Sequence, residues 1–190
     1  MPLGGGVYRD RDGPGRIAFR PLNGRVGLYD PYRDVAYEPI GYFQSPGWAA
    51  LITALTALIA ALVLGGAARR WLARAADKPL ERYALWTVAA AAAAWLAGFV
   101  LFGAALAKAL TAPVVTEIMF WYPPTLMVMA CWAYALAAAL TLAALPGLAA
   151  LARPNGWSVA RKAGHGIALA SFAACAATAW GLGFLGFSGW

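Results

Sequence analysis

The chain has 190 residues, of which 62% are hydrophobic and only 12% are charged. A soluble domain carries about 25% charged residues, so the composition excludes an ordinary soluble protein and indicates that lipid is the main solvent. The formal net charge is +7, but most of the unbalanced basic residues lie in loops beside apolar stretches, so we predict a lipid bilayer as partner and no nucleic acid.

A polar segment, residues 1–46, opens the chain and is rich in Gly, Pro, Arg and Asp. It contains three strand-like runs, residues 16–20 (RIAFR), 25–29 (RVGLY) and 35–42 (VAYEPIGY). An Asn-Gly pair at positions 23–24 separates the first two runs, and both residue types tolerate the positive φ angles of a hairpin turn. We therefore predict a short extramembrane β-hairpin-like segment, which is too small to be stable alone.

Four apolar stretches dominate the rest of the chain, residues 47–190. A helix needs about 20 apolar residues to cross a bilayer, because the hydrocarbon core is about 30 Å thick and each residue rises about 1.5 Å. None of the stretches has an acidic or basic side chain in its middle. The sequence therefore predicts an all-α membrane protein, a four-helix transmembrane bundle. Its predicted spans are residues 48–67, 85–106, 124–145 and 166–184.

The basic residues predict the orientation of the bundle. Five Lys or Arg residues follow the first span and three precede the fourth, whereas one lies between the second and third spans and none follows the fourth. Since loops rich in Lys and Arg stay in the cytoplasm, both termini are expected on the outer side. Six arginines within residues 1–46 oppose this orientation, although five acidic residues nearly balance them.

The junction before the first span carries a family resemblance. Residues 23–26 (NGRV) and 37–39 (YEP), followed by Ser45-Pro46, resemble the segment that ends the β-rich part of many bacterial β-lactamase-related, penicillin-binding-protein-like serine hydrolases. In those proteins this segment leads into several C-terminal membrane helices. The resemblance implies a multi-pass protein of the bacterial inner (cytoplasmic) membrane, and the distribution of basic residues then predicts that both termini are periplasmic.

The resemblance does not extend to catalytic residues. That family acylates a serine in a Ser-x-x-Lys motif, helped by a Tyr-x-Asn or Ser-x-Asn element, and this sequence contains neither Ser-x-x-Lys nor Tyr-x-Asn. The resemblance therefore implies the membrane domain of a serine hydrolase without its catalytic domain, and we predict no enzymatic activity. A fragment of a longer hydrolase and a stand-alone relative are both consistent with this pattern.

One histidine, His165, is a candidate cofactor ligand. It lies between Gly164 and Gly166, near the cytoplasmic start of the fourth span. A neutral imidazole can ligate a haem iron or a chlorophyll magnesium, and the flanking glycines would let a flat ring approach. The other interpretation is an interfacial histidine that faces lipid headgroups. Because a single histidine has no second ligand beside it, we predict no bound cofactor.

Aromatic residues at the outer side form a candidate interaction surface. They lie between the second and third spans and at the junction before the first. A segment as short as residues 1–46 usually needs a partner to be ordered, and this surface is its expected landing site. The residues are Phe120, Trp121, Tyr122, Tyr42 and Phe43.

Two functions follow from these patterns. The first is a non-catalytic membrane domain or subunit that acts as an anchor or docking scaffold for other membrane protein subunits or for a hydrolase domain. The alternative is an accessory subunit of a photosynthetic or respiratory complex, in contact with a pigment, haem or quinone. A membrane enzyme or transporter is less consistent with the sequence, because it needs polar groups inside the bundle.

Overall fold

The computed structural model divides the chain into two compact units, Met1–Ser45 and Pro46–Trp190. In the first unit it describes the backbone of the strands and residue 45; in the second it describes the long helices and their immediate ends. The described residues are 2–4, 7–9, 16–22, 25–30, 35–37, 45–73, 78–111, 125–152 and 157–185.

The first unit contains a five-stranded antiparallel sheet in which each strand pairs with the next along the chain. Strands β3 and β4 pair on either side of positions 23–24, with Leu22 opposite Arg25, and the two predicted turn residues lie outside the described residues. Strands β1 and β2 have no counterpart in the sequence analysis, because three residues are too few to show an alternating pattern. The strands are β1 (Pro2–Gly4), β2 (Val7–Arg9), β3 (Arg16–Leu22), β4 (Arg25–Asp30) and β5 (Val35–Tyr37).

The second unit contains four long helices, each long and apolar enough to cross a membrane. Within the described residues the four predicted apolar helices are therefore confirmed, and they are compatible with a multi-pass membrane protein. A 3₁₀ turn, Leu145–Leu148, and a short helix, α4 (Ala149–Ala152), follow the third long helix. The long helices are α1 (Pro46–Leu72), α2 (Pro79–Thr111), α3 (Thr125–Ala144) and α5 (Val159–Gly181).

Local sequence signals set the helix ends. Pro46 and Pro79 occupy the first positions of α1 and α2, where the missing N–H removes no helical hydrogen bond. The side chain of Ser158 caps α5 by accepting a hydrogen bond from the backbone N–H of Arg161 at 3.3 Å. This cap starts α5 at Val159, well before the predicted span at residue 166. The helix therefore includes Arg161 and Lys162, two of the three basic residues that were predicted to lie in the loop before the fourth span.

Helix α2 forms the centre of the bundle and packs against α1, α3 and α5. Small residues on its buried face let neighbouring helices approach closely. Trp95 is completely buried in this core, and its ring lies 5.8 Å from that of Tyr134 on α3 and 5.9 Å from that of Phe99. Alanines form most of the rest of the buried face of α2: Ala84, Ala89, Ala91, Ala92, Ala94, Ala105 and Ala109.

Helix α1 lies at the edge of the bundle. Within its most apolar window only 11% of residues are buried, against 44% for α2. Its exposed leucines follow a helical spacing and share one face, so α1 presents an apolar surface of the kind that lipid tails solvate. They are Leu51, Leu55, Leu58 and Leu62.

Three hydrogen bonds between side chains connect neighbouring helices. The indole of Trp48 donates to Thr178 at 3.2 Å, and the hydroxyls of Thr56 and Ser171 lie 3.1 Å apart, so both join α1 to α5. The indole of Trp95 donates to the Thr141 hydroxyl at 3.3 Å and joins α2 to α3. Such bonds within a membrane contribute about 0.6 kcal/mol each, so they select the register of the helices more than they stabilise the bundle.

Candidate functional site: a cavity at the basic end of the bundle

A cavity of about 570 Å³ lies between the C-terminal half of α1 and the N-terminal halves of α2 and α5. We call it the basic-end cavity. Its volume is within the range of about 300–1,000 Å³ that is typical of small-molecule sites. Aliphatic side chains from all three helices form its walls: Ile59, Leu62, Val63, Leu85, Val88 and Ile167.

Three arginines also line the basic-end cavity. Arg69 and Arg70 come from the last turn of α1, and Arg161 comes from the first turn of α5. The two α1 arginines are electrostatically favoured at this position, because the C-terminal end of a helix carries a partial negative charge. Among the described residues that line the cavity none is acidic, so the lining carries a positive charge beside an apolar wall.

Trp157 holds Arg161 in place. The guanidinium carbon of Arg161 lies 3.9 Å from the centre of the indole ring, which is a cation–π arrangement. The indole itself is buried and meets the imidazole of His165 edge to face, with ring centres 5.4 Å apart. Arg161 and His165 are four positions apart on α5 and therefore share a helical face, whereas Trp157 lies just before the Ser158 cap of that helix.

His165 is buried, with 9% of its surface exposed. The imidazole also lines the basic-end cavity, together with the three arginines. The early start of α5 places His165 well inside the helix instead of at its beginning. Its Nε2 atom has no hydrogen-bond partner in the described part of the chain.

The surroundings of Nε2 do not fit an axial ligand of haem or chlorophyll. A Cβ atom built on Gly147 would lie 3.4 Å from Nε2 and 2.9 Å from the Cβ of Ala84, so the 3₁₀ turn and α2 close together on this nitrogen. The flat ring of haem or chlorophyll needs free space in front of the nitrogen that ligates its metal. Of the two flanking glycines, Gly164 faces open space and lines the cavity, whereas Gly166 lies against Leu151.

The other predicted site residues fall in different places. The predicted outer interaction residues, Phe120, Trp121, Tyr122, Tyr42 and Phe43, lie outside the described residues. Within the described ranges, no group of three or more His, Cys, Asp or Glu side chains is placed to hold a metal ion.

Most of the basic-end cavity was not predicted from the sequence. The arginines served there only as markers of orientation, and Trp157, Gly66 and Val88 were assigned to no site. One signal was available, since Trp157, Arg161 and His165 are spaced by four residues. The α1 residues that line the cavity had no such spacing signal, because their place in the cavity depends on how helices distant in sequence pack.

The chain matches no protein-family model, no curated protein and no solved structure. The resemblance of residues 23–26 and 37–39 to β-lactamase-related serine hydrolases therefore stays a prediction.

Proposed function

We propose that this chain is a non-catalytic integral membrane domain that acts as an anchor or docking scaffold, similar to the membrane part of serine hydrolases. The residue composition of the surface and core of the bundle is the observation that supports this proposal. The exposed faces of the bundle are apolar, as on α1, and its core is filled by alanines and aromatic rings. An anchor needs such a surface, whereas a transporter needs ionisable groups along a path through the membrane.

Two further observations support a non-catalytic role. A serine nucleophile needs an adjacent base, and the Nε2 atom of His165 has no hydrogen-bond partner in the described ranges. The hydroxyls of Thr56 and Ser171 pair with each other across α1 and α5.

The proposed partners are other membrane protein subunits or a hydrolase domain, in addition to the bilayer. The division of the chain into a small β unit and a helical unit supports this role, because each of them forms its own compact set of contacts. The proposed interaction residues are those predicted from the sequence, Tyr42, Phe43, Phe120, Trp121 and Tyr122, which lie outside the described residues.

Deletion of residues 1–45 tests the docking proposal. We expect the remaining bundle to stay in carbonate-washed membranes and to keep its thermal transition in detergent, because the second unit has its own core. We expect a photo-crosslinker at position 121 to capture a membrane subunit or hydrolase domain with the full chain and to lose that product after the deletion. A crosslinker at Trp132, an exposed position on α3, is the control. Unfolding of the shortened bundle with an unchanged crosslink would contradict the proposal.

The alternative function, an accessory subunit of a photosynthetic or respiratory complex, is favoured by one observation. The basic-end cavity is large and apolar enough for a quinone ring. The same purified protein distinguishes the two functions. The scaffold proposal expects a visible spectrum without haem or pigment bands and no stoichiometric quinone in the organic extract, and the accessory-subunit proposal expects the opposite.

We further propose that both termini lie on the periplasmic side of a bacterial inner membrane. Support comes from the basic-end cavity, because the last turn of α1 and the first turn of α5 bring Arg69, Arg70 and Arg161 to one end of the bundle. Such a cluster favours the cytoplasmic face.

A matched pair of leucines tests this orientation. Leu72 at the C-terminal end of α1 and Leu182 just after the C-terminal end of α5 are both exposed. They lie at opposite ends of the bundle, because the C-terminal end of α1 meets the N-terminal end of α5 at the basic-end cavity. We expect a membrane-impermeant maleimide to label L182C in intact spheroplasts and to label L72C only after permeabilisation. The unmodified chain is the control, because Cys131 and Cys175 are both buried. The reverse labelling pattern would invert the orientation.

A further inference from the structure

The basic-end cavity has the two-part chemistry of an anionic lipid site. We propose that it binds one anionic phospholipid from the leaflet at the basic end, with the phosphate on Arg69, Arg70 and Arg161 and one acyl chain in the cavity. This inference goes beyond the scaffold function and is independent of it.

The depth of the cavity matches a single acyl chain. Its lining on α1 runs from Ile59 to Arg70, which corresponds to a rise of about 16 Å along the helix. Half of the hydrocarbon core of a bilayer is about 15 Å. A lipid whose headgroup reaches the arginines can therefore extend one chain to the bottom of the cavity near the bilayer centre.

The walls of the cavity select the acyl chain. The side chains below the arginines, such as Val63, Val88 and Ile167, are aliphatic. These side chains can contact an acyl chain along its whole length, but they offer no hydrogen bond to a polar ligand. Gly66 and Gly164 widen the cavity, since a Cβ atom on either glycine would meet nothing within 4 Å.

The arginines select the headgroup. A guanidinium binds phosphate through two parallel hydrogen bonds, and basic pockets between membrane helices are known to bind acidic lipid headgroups. Arg161 is already oriented by its stacking on Trp157 at 3.9 Å. A quinone carries no charge for these guanidinium groups to bind, and the enclosed Nε2 of His165 gives a macrocycle no ligand.

Two adjacent glycines on α1 provide a matched test of the cavity. Gly65 and Gly66 both have open space where a Cβ would lie, but only Gly66 lines the cavity. Both G65L and G66L replace a helical glycine with a better helix former, so neither is expected to unfold the chain. Binding of dioleoyl-phosphatidylglycerol and dioleoyl-phosphatidylcholine to the full chain is measured by native mass spectrometry after exchange into a non-ionic detergent.

We expect the unmodified chain to bind phosphatidylglycerol about tenfold more tightly than phosphatidylcholine, a preference that two or three basic side chains readily supply. G66L should weaken the binding of phosphatidylglycerol by at least about tenfold, because the new side chain fills the cavity. G65L should leave it within about twofold. The second cavity-filling variant, G164L, should reproduce G66L. Equal affinities for the two lipids, or equal effects of G65L and G66L, would overturn the proposal.

A second pair of variants tests the headgroup contact. Arg161 lines the cavity, whereas Arg82 is exposed on the first turns of α2 and does not. R161Q should weaken phosphatidylglycerol binding about fivefold, as expected for one basic side chain, and R82Q should change it less than twofold. Inorganic phosphate should not displace the lipid, because the acyl chain supplies part of the affinity. Displacement of the lipid by phosphate, or an equal loss of binding in R82Q and R161Q, would show that only surface charge attracts the lipid. Either result would refute the proposed site.

Discussion

Replacement of Trp95 with alanine is expected to lower the free energy of unfolding of the bundle by about 3 kcal/mol. The indole is completely buried between α2 and α3, stacks near Phe99 and Tyr134, and donates a hydrogen bond to Thr141. An alanine would leave a void that the surrounding rings fill only in part. The value lies at the lower end for aromatic residues in soluble cores, because an unfolded helix in a membrane exposes its side chains to lipid instead of water.

The control for this prediction is Trp180→Ala. Trp180 lies on α5 with 71% of its surface exposed, so its removal creates no void in the core and should change stability by less than about 0.5 kcal/mol. Reversible unfolding in mixed detergent micelles, followed by circular dichroism, measures both variants. Equal losses for the two tryptophans would show that Trp95 is not part of a specifically packed core.

Replacement of Gly98 with alanine is expected to destabilise the bundle by about 2 kcal/mol through overpacking. A Cβ atom built on Gly98 would lie 2.6 Å from two carbons of the Tyr134 ring, Cδ1 and Cε1. The ring cannot move away freely, because Tyr134 is buried and contacts the rings of Trp95, Phe99 and Phe184. The α2–α3 contact would therefore have to open.

Gly103 on the same helix provides the matched control. A Cβ atom at this position would meet nothing within 4 Å, so Gly103→Ala should leave stability unchanged or raise it by up to about 1 kcal/mol, the gain in helix propensity. The same unfolding measurement applies. If Gly98→Ala proved as harmless as Gly103→Ala, the close approach of α2 and α3 at Tyr134 would be wrong.

The two substitutions in the core and the substitutions in the basic-end cavity affect different properties. Trp95 and Gly98 pack against α3 in the core, whereas Gly66 and Gly164 face open space in the cavity between α1, α2 and α5. We therefore expect core variants to reduce stability and cavity variants to reduce lipid binding with little effect on stability. This separation makes the lipid proposal testable without disturbing the fold.

The sequence alone determined the helical class of the second unit and the four helices, within the described residues, that are long and apolar enough to cross a membrane. Hydropathy over about 20 residues is a local property, and a helix in lipid satisfies its own backbone hydrogen bonds, so four apolar stretches identify four helices without knowledge of their packing. The third predicted span also ends at residue 145, directly before Pro146, where α3 gives way to a 3₁₀ turn.

Only the tertiary structure decided what the polar residues do. His165 looked interfacial in the sequence, but the Ser158 cap extends α5 and the 3₁₀ turn closes over the imidazole, so it is buried. The basic-end cavity likewise combines Arg70 of α1 with Arg161 of α5, which are 91 positions apart in the chain. Hydropathy locates the apolar stretch of each helix but not the helix ends or the side chains that face each other. Helix ends depend on capping, and facing side chains depend on close packing between helices distant in sequence.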